Sequence, residues 1–333
     1  MTKKENILAK IIVSHNLAAP VMDYLRSKVD EVIVPDSADP SVILPYLKEA
    51  DGAIIRIGSI TGEMIEQSPK LKVIGRSGVG YDDIDVTSAT KHGIPVTITP
   101  GGNARAVAEH TFALILAAAK NLVAMDIATR EGDFYIRNSR NNVELYGKKL
   151  YLVGFGFIGK LVASYASAFG MDILVYDPFI SAQTVEEFGY EYIASLEKGV
   201  QQADIISLHI PLTEKTKGLF GTEMLASMKK NSIIINCARG GIVDESALKQ
   251  VLDSGQLYGA GIDVFSEEPP PAELPILQAK NLTVSPHNAS LTEEAVISVH
   301  RMCAESVISV LEGNMWEKVA DSRVYEHERW RTK

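Results

Sequence analysis

The chain has 333 residues, a formal net charge of -9 at pH 7 and two cysteines. This length predicts two domains rather than one simple hydrophobic core. The acidic balance argues against nucleic acid as the main partner, because phosphate binding requires clustered lysine and arginine. Two cysteines favour a reducing cytoplasm over a disulfide framework and cannot by themselves form a zinc site, so we expect no bound metal.

The hydropathy of the chain indicates neither an export signal nor a membrane-spanning segment. The N-terminal segment MTKKENILAKIIV lacks a long apolar run followed by a cleavage site, so no signal peptide is expected. The longest apolar stretch, FALILAAAK from Phe112, is too short to span a bilayer. We therefore expect a cytoplasmic protein without a membrane or nucleic-acid partner.

Short apolar runs alternate with helical patterns along the chain. In the first third these runs are KIIV, EVIV, GAIIRI, LKVIG and IPVTIT, and in the middle they are KLYLVG, DILVYD, DIISLHI, SIIINCA, GAGIDV and NLTVSP. Runs rich in Val and Ile and bounded by Gly, Pro or Asp are typical of buried parallel strands. About eleven strands are too many for one ordinary open sheet, so we predict an α/β fold with two doubly wound parallel-sheet domains.

Two long helices are predicted beside these sheets. The first spans residues 103–122 and is nearly apolar all round beyond Thr111, which indicates a buried helix between the domains. The second starts near Ser290, where Ser290 and Glu293 have the spacing of a capping box, and stops at Gly313. It could carry the chain back to the first domain, and the polar tail after it is expected to be partly mobile. We therefore assign residues 1–102 and 294–333 to one domain and residues 103–293 to the other.

A glycine-rich segment, VGFGFIG, follows one predicted strand and opens a helix. Its three glycines, Gly154, Gly156 and Gly159, have the spacing of a dinucleotide-binding loop. Asp177 ends the next strand 23 residues after Gly154, close to the roughly 20 expected for an acid that binds the ribose hydroxyls. Such an acid would repel a 2′-phosphate, so the segment favours NAD over NADP as the cofactor.

Polar side chains directly follow three later strands of the same domain. Arg239 lies in NCARGGIVDE, Asp263, Glu267 and Glu268 lie in GIDVFSEEPP, and His287 lies in VSPHNAS. Because ligands bind beyond the carboxyl ends of the strands in a doubly wound sheet, we expect these residues to face one crevice.

Arg, Glu and His at these positions supply what hydride transfer to or from a hydroxy acid requires. Arginine can bind a substrate carboxylate bidentately and polarise a carbonyl group. Histidine can give or take the hydroxyl proton, and a carboxylate can orient it and favour its protonated form. His209 in SLHIPLT also ends a strand and is the rival acid–base, whereas His110 in the apolar helix is expected to be a satisfied interface residue.

These motifs, in this order, resemble the D-isomer-specific 2-hydroxyacid dehydrogenases, and within that family the D-3-phosphoglycerate dehydrogenases. The similarity runs from about residue 50 to about residue 300 and rests on VIGRSGVGYDDIDV, GNARAVAEH, LVGFGFIG, LHIPLTEKTKGLF, NCARGGIVDE, GAGIDVFSEEPP and SPHNAS. The resemblance implies a flavodoxin-like substrate domain and a Rossmann NAD-binding domain. Family members with serine feedback carry an extra C-terminal regulatory domain, which we do not expect here.

The resemblance also implies roles for individual residues. Arg239 would bind the substrate's carboxylate and C2 oxygen, while Glu268 rather than Glu267 would pair with His287, the acid–base. Asp263 would lie near the nicotinamide carboxamide. The cofactor-binding set is Val79, Gly154, Gly156, Phe157, Ile158, Gly159, Asp177, His209, Ile210, Pro211, Cys237, Ala238, Asp263 and Ala289. The substrate-binding set is Arg56, Gly78, Val79, Gly80, Asn103, Arg239 and His287.

The predicted function is hydride transfer between NAD(H) and a 2-hydroxy or 2-oxo acid, and its exact substrate is left open. Arg56 lies where phosphoglycerate dehydrogenases carry an arginine for the distal anion, but the sequence IRIGS departs from their usual pattern. One alternative is therefore a hydroxypyruvate or glyoxylate reductase. An alternative of another class is an NAD-sensing corepressor on the same fold, which would show no turnover. By analogy we also expect a homodimer through the NAD domain, with residues 130–147 as a crossing arm.

Overall fold

The computed structural model describes residues 7–139 and 142–331, and the chain divides into two compact units. The first unit comprises the described residues through Asn103 together with those from Thr292 onward. The second unit comprises Ala104–Leu291. Residues 1–6 and 332–333 of the predicted first domain, and residues 140–141 of the predicted arm, lie outside the described residues.

Strands and helices alternate through both units. Within the described ranges the strands are β1 (Ile7–Val13), β2 (Val29–Ile33), β3 (Gly52–Ile55), β4 (Val73–Arg76), β5 (Val96–Thr97), β6 (Lys149–Val153), β7 (Asp172–Tyr176), β8 (Glu191–Tyr192), β9 (Ile205–Leu208), β10 (Ile233–Asn236), β11 (Gly259–Ile262) and β12 (Leu282–Val284). The α-helices there are α1 (Ala19–Arg26), α2 (Pro40–Leu47), α3 (Gly62–Glu66), α4 (Val86–Lys91), α5 (Ala104–Lys120), α6 (Leu122–Arg130), α7 (Phe157–Ala168), α8 (Ala182–Glu186), α9 (Leu196–Gln202), α10 (Thr222–Ser227), α11 (Glu245–Asp253), α12 (Glu293–Leu311) and α13 (Glu328–Arg331). Short 3-10 helices cover Phe134–Asn138, Pro275–Gln278 and Ser322–Glu326.

Each unit is built on one parallel sheet. The first unit has a five-stranded sheet of order β2-β1-β3-β4-β5, which is the flavodoxin-like order. The second has a seven-stranded sheet of order β12-β11-β10-β9-β6-β7-β8, which is the Rossmann order with one strand added beyond it. The predicted fold class, α/β with two doubly wound parallel sheets, is confirmed. Strand β8 was not predicted, because its two residues form an edge strand without an apolar run.

The buried helix of the second unit is shorter than predicted. Helix α5 ends at Lys120 rather than continuing to residue 122, because Asn121 adopts a left-handed conformation with φ +50°. The chain turns there and continues as α6. No single helix within the described ranges is long and apolar enough to cross a membrane, and α5 and α6 reach that length and composition only together, with a bend of 61°.

Helix α12 begins two residues later than expected for a cap at Ser290, so the predicted capping box is wrong. Its N-cap is Thr292, whose side chain accepts a hydrogen bond from the backbone N–H of Ala295 at 3.2 Å. Residues 288–291 instead form a turn, which is closed by a hydrogen bond from the Leu291 N–H to the Asn288 carbonyl. This turn delays the helix and shapes the backbone beside His287.

The described part of the C-terminal tail packs against the rest of the first unit, and its expected partial mobility stays a prediction. Trp330 is buried, and its indole N–H donates to the carbonyl oxygen of Gly93 at 2.9 Å. Its ring also lies edge-on against Tyr325, with centroids 5.0 Å apart. Upstream of this contact, Ala320 donates a backbone hydrogen bond to Val96 in β5, so the tail also covers the edge of the sheet.

Candidate active site

The loop between β6 and α7 has a shape that excludes side chains at two of its three glycines. Gly154 adopts φ +101°, and a Cβ atom there would lie 2.5 Å from the carbonyl oxygen of His209. A Cβ atom at Gly159 would lie 2.4 Å from the carbonyl oxygen of Gly154, which allows close packing of helix and strand. A Cβ atom at Gly156 would meet no atom within 4 Å, so the loop borders open space at its middle glycine.

This open space lies at the N-terminus of α7, where the geometry suits a pyrophosphate. The first turn of any α-helix has N–H groups without intrahelical partners, and Gly156 supplies no side-chain cap for them. These N–H groups and the helix dipole favour a negatively charged ligand. Phe157, the first residue of the helix, is exposed, whereas Ile158 packs against the core. The residues of the loop therefore fit the dinucleotide that their spacing predicts.

Asp177 follows β7 and holds the glycine loop from the neighbouring strand. Its Oδ2 atom accepts a hydrogen bond from the Phe155 N–H at 2.9 Å, and its Oδ1 atom accepts one from the Phe179 N–H at 2.9 Å. An ionised carboxylate offers about four acceptor positions, so two remain for ribose hydroxyls. The ribose contact of Asp177 is a prediction from the sequence, whereas the support that Asp177 gives to the loop was not predicted.

His209 lies against the glycine loop and is held neutral. Its Nε2 atom is 2.9 Å from the Ser207 hydroxyl, and burial lowers the pKa of His209 to about 3. A neutral histidine in this setting is a poor candidate for the rival acid–base. Ile210 packs against the same loop, 3.1 Å from where a Cβ atom of Gly154 would lie. Pro211 completes the segment and accepts a hydrogen bond from the Thr216 hydroxyl.

His287 and Glu268 form a direct hydrogen-bonded pair. The His287 Nδ1 atom lies 2.6 Å from Glu268 Oε2, and the other oxygen, Oε1, accepts from the Phe265 N–H at 2.9 Å. An ionised carboxylate can only accept, so Nδ1 carries the proton and Nε2 is left to exchange a proton with a ligand. The side chains of His287 and Glu268 are 47% and 34% exposed, so the pair is open to a small molecule. The structure thus pairs His287 with Glu268 and not with Glu267.

The backbone at His287 is left-handed, with φ +51°, which is uncommon for a residue other than glycine. Asp263, which follows β11 and is fully buried, holds this turn. Its carbonyl oxygen accepts from the His287 N–H at 2.8 Å. Its carboxylate accepts from the Asn288 N–H at Oδ1 and from the Ala289 N–H at Oδ2, both at 3.0 Å. In this geometry Asp263 holds the turn that carries His287, while its predicted nicotinamide contact stays a prediction.

Arg239 lies in a tight loop after β10, whose shape is set by Asn236. The buried Asn236 side chain accepts from the Ala238 N–H at 3.0 Å and donates to the Arg239 carbonyl at 2.9 Å. Arg239 itself is half-buried, and its Nη1 atom donates to the Ala238 carbonyl at 2.7 Å. Burial raises the pKa of the Cys237 thiol to about 12, so this thiol stays neutral and is a poor nucleophile.

The Arg239 loop meets the Glu268 loop at Gly240. A Cβ atom at Gly240 would lie only 1.8 Å from the carbonyl oxygen of Phe265, so the two backbones touch where no side chain fits. Since β10, β11 and β12 are neighbours in the sheet, the loops that carry Arg239, Glu268 and His287 share one edge. The dipeptide GG is the one feature of the sequence that marks Gly240.

In the first unit, one arginine that sequence analysis missed organises the predicted substrate loops. Arg76, at the end of β4, donates from Nη1 to the carbonyl oxygens of Ile55 at 3.2 Å and Arg56 at 2.5 Å. Its Nε atom donates to the Gly80 carbonyl at 2.7 Å, and its Nη2 atom lies 3.3 Å from Asp83. A charged residue inside a strand pattern next to a glycine loop was the available signal.

The remaining predicted substrate residues of the first unit lie on its loops. Gly78 adopts an extended conformation with φ +156°, and its carbonyl oxygen accepts from both the N–H and the hydroxyl of Thr99 at 3.0 Å. Val79 is 41% exposed, although it is apolar, and Asn103 is half-buried directly before α5. Among the residues that the structure describes, no group of three or more His, Cys, Asp or Glu side chains could hold a metal ion.

Comparison with known proteins identifies the family of the chain. Residues 112–289 match the model of the D-isomer specific 2-hydroxyacid dehydrogenase, NAD binding domain. The chain is 41% identical over 315 residues to a D-3-phosphoglycerate dehydrogenase of Methanocaldococcus jannaschii, covering 94% of this chain and 60% of that protein. It is 39% identical over 295 residues to a glyoxylate reductase of Korarchaeum cryptofilum, covering 87% of this chain and 89% of that protein.

Solved structures agree with these sequence matches. The TT0316 protein from Thermus thermophilus superposes with a TM-score of 0.85 at 33% identity, covering 94% of this chain and 100% of that one. The chain spans about 60% of the length of the phosphoglycerate dehydrogenase that it matches. Its two parallel sheets, its glycine loop and its matched residues lead to one conclusion: the chain belongs to the D-isomer-specific 2-hydroxyacid dehydrogenase family.

Proposed function

We propose that this chain is an NAD-dependent dehydrogenase that interconverts a D-2-hydroxy acid and the corresponding 2-oxo acid. The observation that carries the proposal is the 2.6 Å hydrogen bond between His287 and Glu268, at the same sheet edge as the Arg239 loop. A plain nucleotide-binding scaffold has no need of an oriented histidine at this edge. An NAD-sensing corepressor could retain these residues, but it would show no turnover.

The residues divide the work of such a reaction between them. NADH bound at the glycine loop would supply the hydride that C2 of the 2-oxo acid receives. His287 donates its Nε2 proton to the substrate oxygen, and in the reverse direction it accepts that proton. Glu268 keeps the imidazole oriented and stabilises its positive charge. Arg239 binds the substrate carboxylate, and its charge polarises the carbonyl group in the direction of reduction.

The substrate class is a small 2-hydroxy or 2-oxo acid, for which two candidates have support. The similarity to D-3-phosphoglycerate dehydrogenases favours a phosphorylated substrate, whose distal anion Arg56 would meet beside Gly78, Val79, Gly80 and Asn103. The similarity to a glyoxylate reductase over 89% of that protein's length favours a small substrate without a phosphate. Initial rates with NADH and a panel of phosphorylated and unphosphorylated 2-oxo acids separate the two. If none of these acids causes a loss of NADH absorbance, the proposal is overturned.

We further propose NAD rather than NADP as the cofactor, with Asp177 as the ribose acceptor. The cofactor-binding residues would include the glycine loop, the segment from His209 to Pro211, the backbone of Cys237 and Ala238, and Ala289. Asp177→Ala removes the carboxylate that repels a 2′-phosphate, so the preference for NADH over NADPH is expected to narrow. A wild-type protein that already prefers NADPH would contradict this assignment.

We propose a homodimer through the second unit, supported by apolar residues that lie uncovered on α6 and the 3-10 helix after it. Helix α6 has no buried residue, and Leu122, Val123, Ile127, Phe134 and Tyr135 are between 47% and 75% exposed. A patch of this kind on consecutive elements marks an interaction surface. Sedimentation of the purified protein is expected to give the mass of two chains. A double charge substitution, Leu122→Asp with Ile127→Asp, should give one chain, whereas Met315→Asp, in the other unit, should not.

A cytoplasmic location and the lack of membrane and nucleic-acid partners stay predictions from composition. Both cysteines, Cys237 and Cys303, are unpaired and buried, which suits a reducing compartment. Cell fractionation with an antibody to the chain tests the location, and recovery in a membrane pellet would contradict it.

A further inference from the structure

A chain of polar side chains runs from the buried carboxylate of Asp263 to helix α5. The Ser285 hydroxyl lies 2.6 Å from Asp263 Oδ1, and His110 Nε2 lies 2.8 Å from the same hydroxyl. His110 Nε2 also lies 3.6 Å from Asp263 Oδ1. The Asp263 side chain is 1% exposed and that of His110 is 24% exposed, so these hydrogen-bonded side chains connect the buried carboxylate to the surface of the helix.

The direction of the hydrogen bonds follows from what each group can donate. An ionised carboxylate only accepts, so the Ser285 hydroxyl donates to Asp263. The Ser285 oxygen must then accept from His110, which places a proton on the Nε2 atom of His110. His110 therefore fixes the hydroxyl hydrogen of Ser285 towards the carboxylate, and Ser285 holds one carboxylate oxygen in place.

That carboxylate in turn holds the left-handed turn of His287. Both of its oxygens accept from backbone N–H groups one and two residues after His287, and the Asp263 carbonyl accepts from the N–H of His287 itself. A rotation of the Asp263 side chain would release these N–H groups together. The orientation of the imidazole at its Glu268 partner depends on this turn, because the backbone at His287 is in a region that needs external support.

We propose that His110 is a positioning residue for the acid–base His287, acting through Ser285 and Asp263. The inference rests on the proposed function for its kinetic consequence, but its structural consequence is independent of turnover. His110 contributes no atom to the reaction and exchanges no proton with the substrate. Its role is to keep the hydrogen-bond network of the turn in one arrangement, so that the His287 ring meets the substrate oxygen in the reactive orientation.

The proposal predicts a split between kinetic constants. His110→Ala and Ser285→Ala should each lower kcat about tenfold, because a small misplacement of the acid–base costs rate. The KM for the 2-oxo acid should stay within about twofold, since Arg239 and its loop are unchanged. His110→Gln, whose side-chain amide can donate to Ser285, should recover most of kcat. Glu109→Ala, at the exposed neighbouring position of α5, is the matched control and should leave both constants unchanged.

A double-mutant cycle tests whether the two residues act through one another. If His110 works through Ser285, the double variant His110→Ala with Ser285→Ala should lose no more activity than either single variant. Additive losses of kcat in the double variant would mean that the two residues act independently of one another. That result would overturn the proposal. Equal losses in the Gln and Ala variants of His110 would show that ring packing matters and not hydrogen bonding, which would also overturn it.

Hydrogen exchange provides a readout that needs no turnover. The backbone N–H groups of Asn288 and Ala289 should exchange about tenfold faster in both Ala variants than in the wild type, because their carboxylate acceptor is loosened. Unchanged exchange in Ser285→Ala refutes the proposal even if His110→Ala does not fold. A wild type that reduces no 2-oxo acid, but whose variants show the faster exchange, would instead refute the proposed function and leave the network standing.

Discussion

Acidification should destabilise the first unit through His300, a buried histidine of α12. Its Nδ1 atom accepts a hydrogen bond from the Ala18 N–H at 2.9 Å, and 3% of the residue is exposed. Burial, assisted by the positive charges of Arg56 and His15, lowers the pKa of His300 to about 4. Protonation would both charge the buried ring and remove the acceptor of Ala18, so the folded state resists it.

The sign and size of the effect follow from the difference in bound protons. In the unfolded chain the pKa of a histidine is about 6.5, so between about pH 6.5 and 4 the unfolded state binds more protons. The contribution of His300 to the free energy of unfolding is therefore complete above about pH 6.5 and is lost as the pH falls towards 4. Between about pH 7 and pH 5 the loss amounts to about 1.5 to 2 kcal/mol.

Denaturant titration at both pH values measures this loss directly. His300→Asn retains an acceptor near the position of Nδ1 but cannot bind the proton, so its fall in unfolding free energy from about pH 7 to 5 should be smaller by about 1.5 to 2 kcal/mol. A uniform destabilisation by the substitution cancels in this difference. His92→Asn, at a half-buried histidine of the same unit, is the matched control for replacing a histidine by asparagine. Parallel losses of stability in His300→Asn and the wild type would refute this role of His300.

Two further substitutions test the geometry of the second unit. Glu268→Gln leaves the shape of the side chain but removes the charge that orients His287, and kcat should fall by about tenfold to a hundredfold, whereas Glu267→Gln should be neutral. Gly240→Ala places a methyl group 1.8 Å from a carbonyl oxygen of the adjacent loop, so it should lower the free energy of unfolding by more than about 2 kcal/mol and abolish turnover. Gly221→Ala, whose new methyl would have its nearest neighbour at 3.2 Å, is the control.

Steady-state kinetics and denaturant titration test these variants, and each prediction has an outcome that would contradict it. Equal kcat values for Glu268→Gln and the wild type would mean that the carboxylate charge does not serve the acid–base. An active and stable Gly240→Ala protein would mean that the Arg239 loop and the Glu268 loop are not held in contact there.

The architecture of the chain could be predicted from the sequence because its strands are long enough to leave a pattern. Apolar runs bounded by Gly, Pro and Asp predicted both parallel sheets, and the glycine spacing predicted the order of strand, loop and helix in the second unit. What escaped prediction is decided by tertiary contacts. The edge strand β8 has two residues and exists only by pairing with β7. The tail carries few apolar residues, yet Trp330 anchors it to Gly93, which lies 237 residues away in sequence.

In the site, too, some residues were predictable from a local sequence pattern, whereas others act through contacts with residues that are distant in sequence. Glu268 lies in the loop after β11 and His287 in the loop after β12, so their place at one sheet edge was predictable from the strand pattern. The pairing of His287 with Glu268 rather than Glu267 was implied by the family resemblance. The hydrogen bond from His110 to Ser285 joins residues 175 positions apart, and no local pattern indicates it. Arg76 and Gly240 escaped for a similar reason, because their roles are to hold neighbouring loops rather than to contact a ligand.

The measurement that tests the central claim most directly is turnover by His287→Ala with NADH and the best 2-oxo acid of the panel. The account predicts a fall in kcat of about a hundredfold to ten-thousandfold, because the proton donor is lost, with NADH affinity nearly unchanged. A His287→Ala protein that keeps activity within a few-fold of the wild type would show that another group supplies the proton. That result would contradict the assignment of His287 as the acid–base.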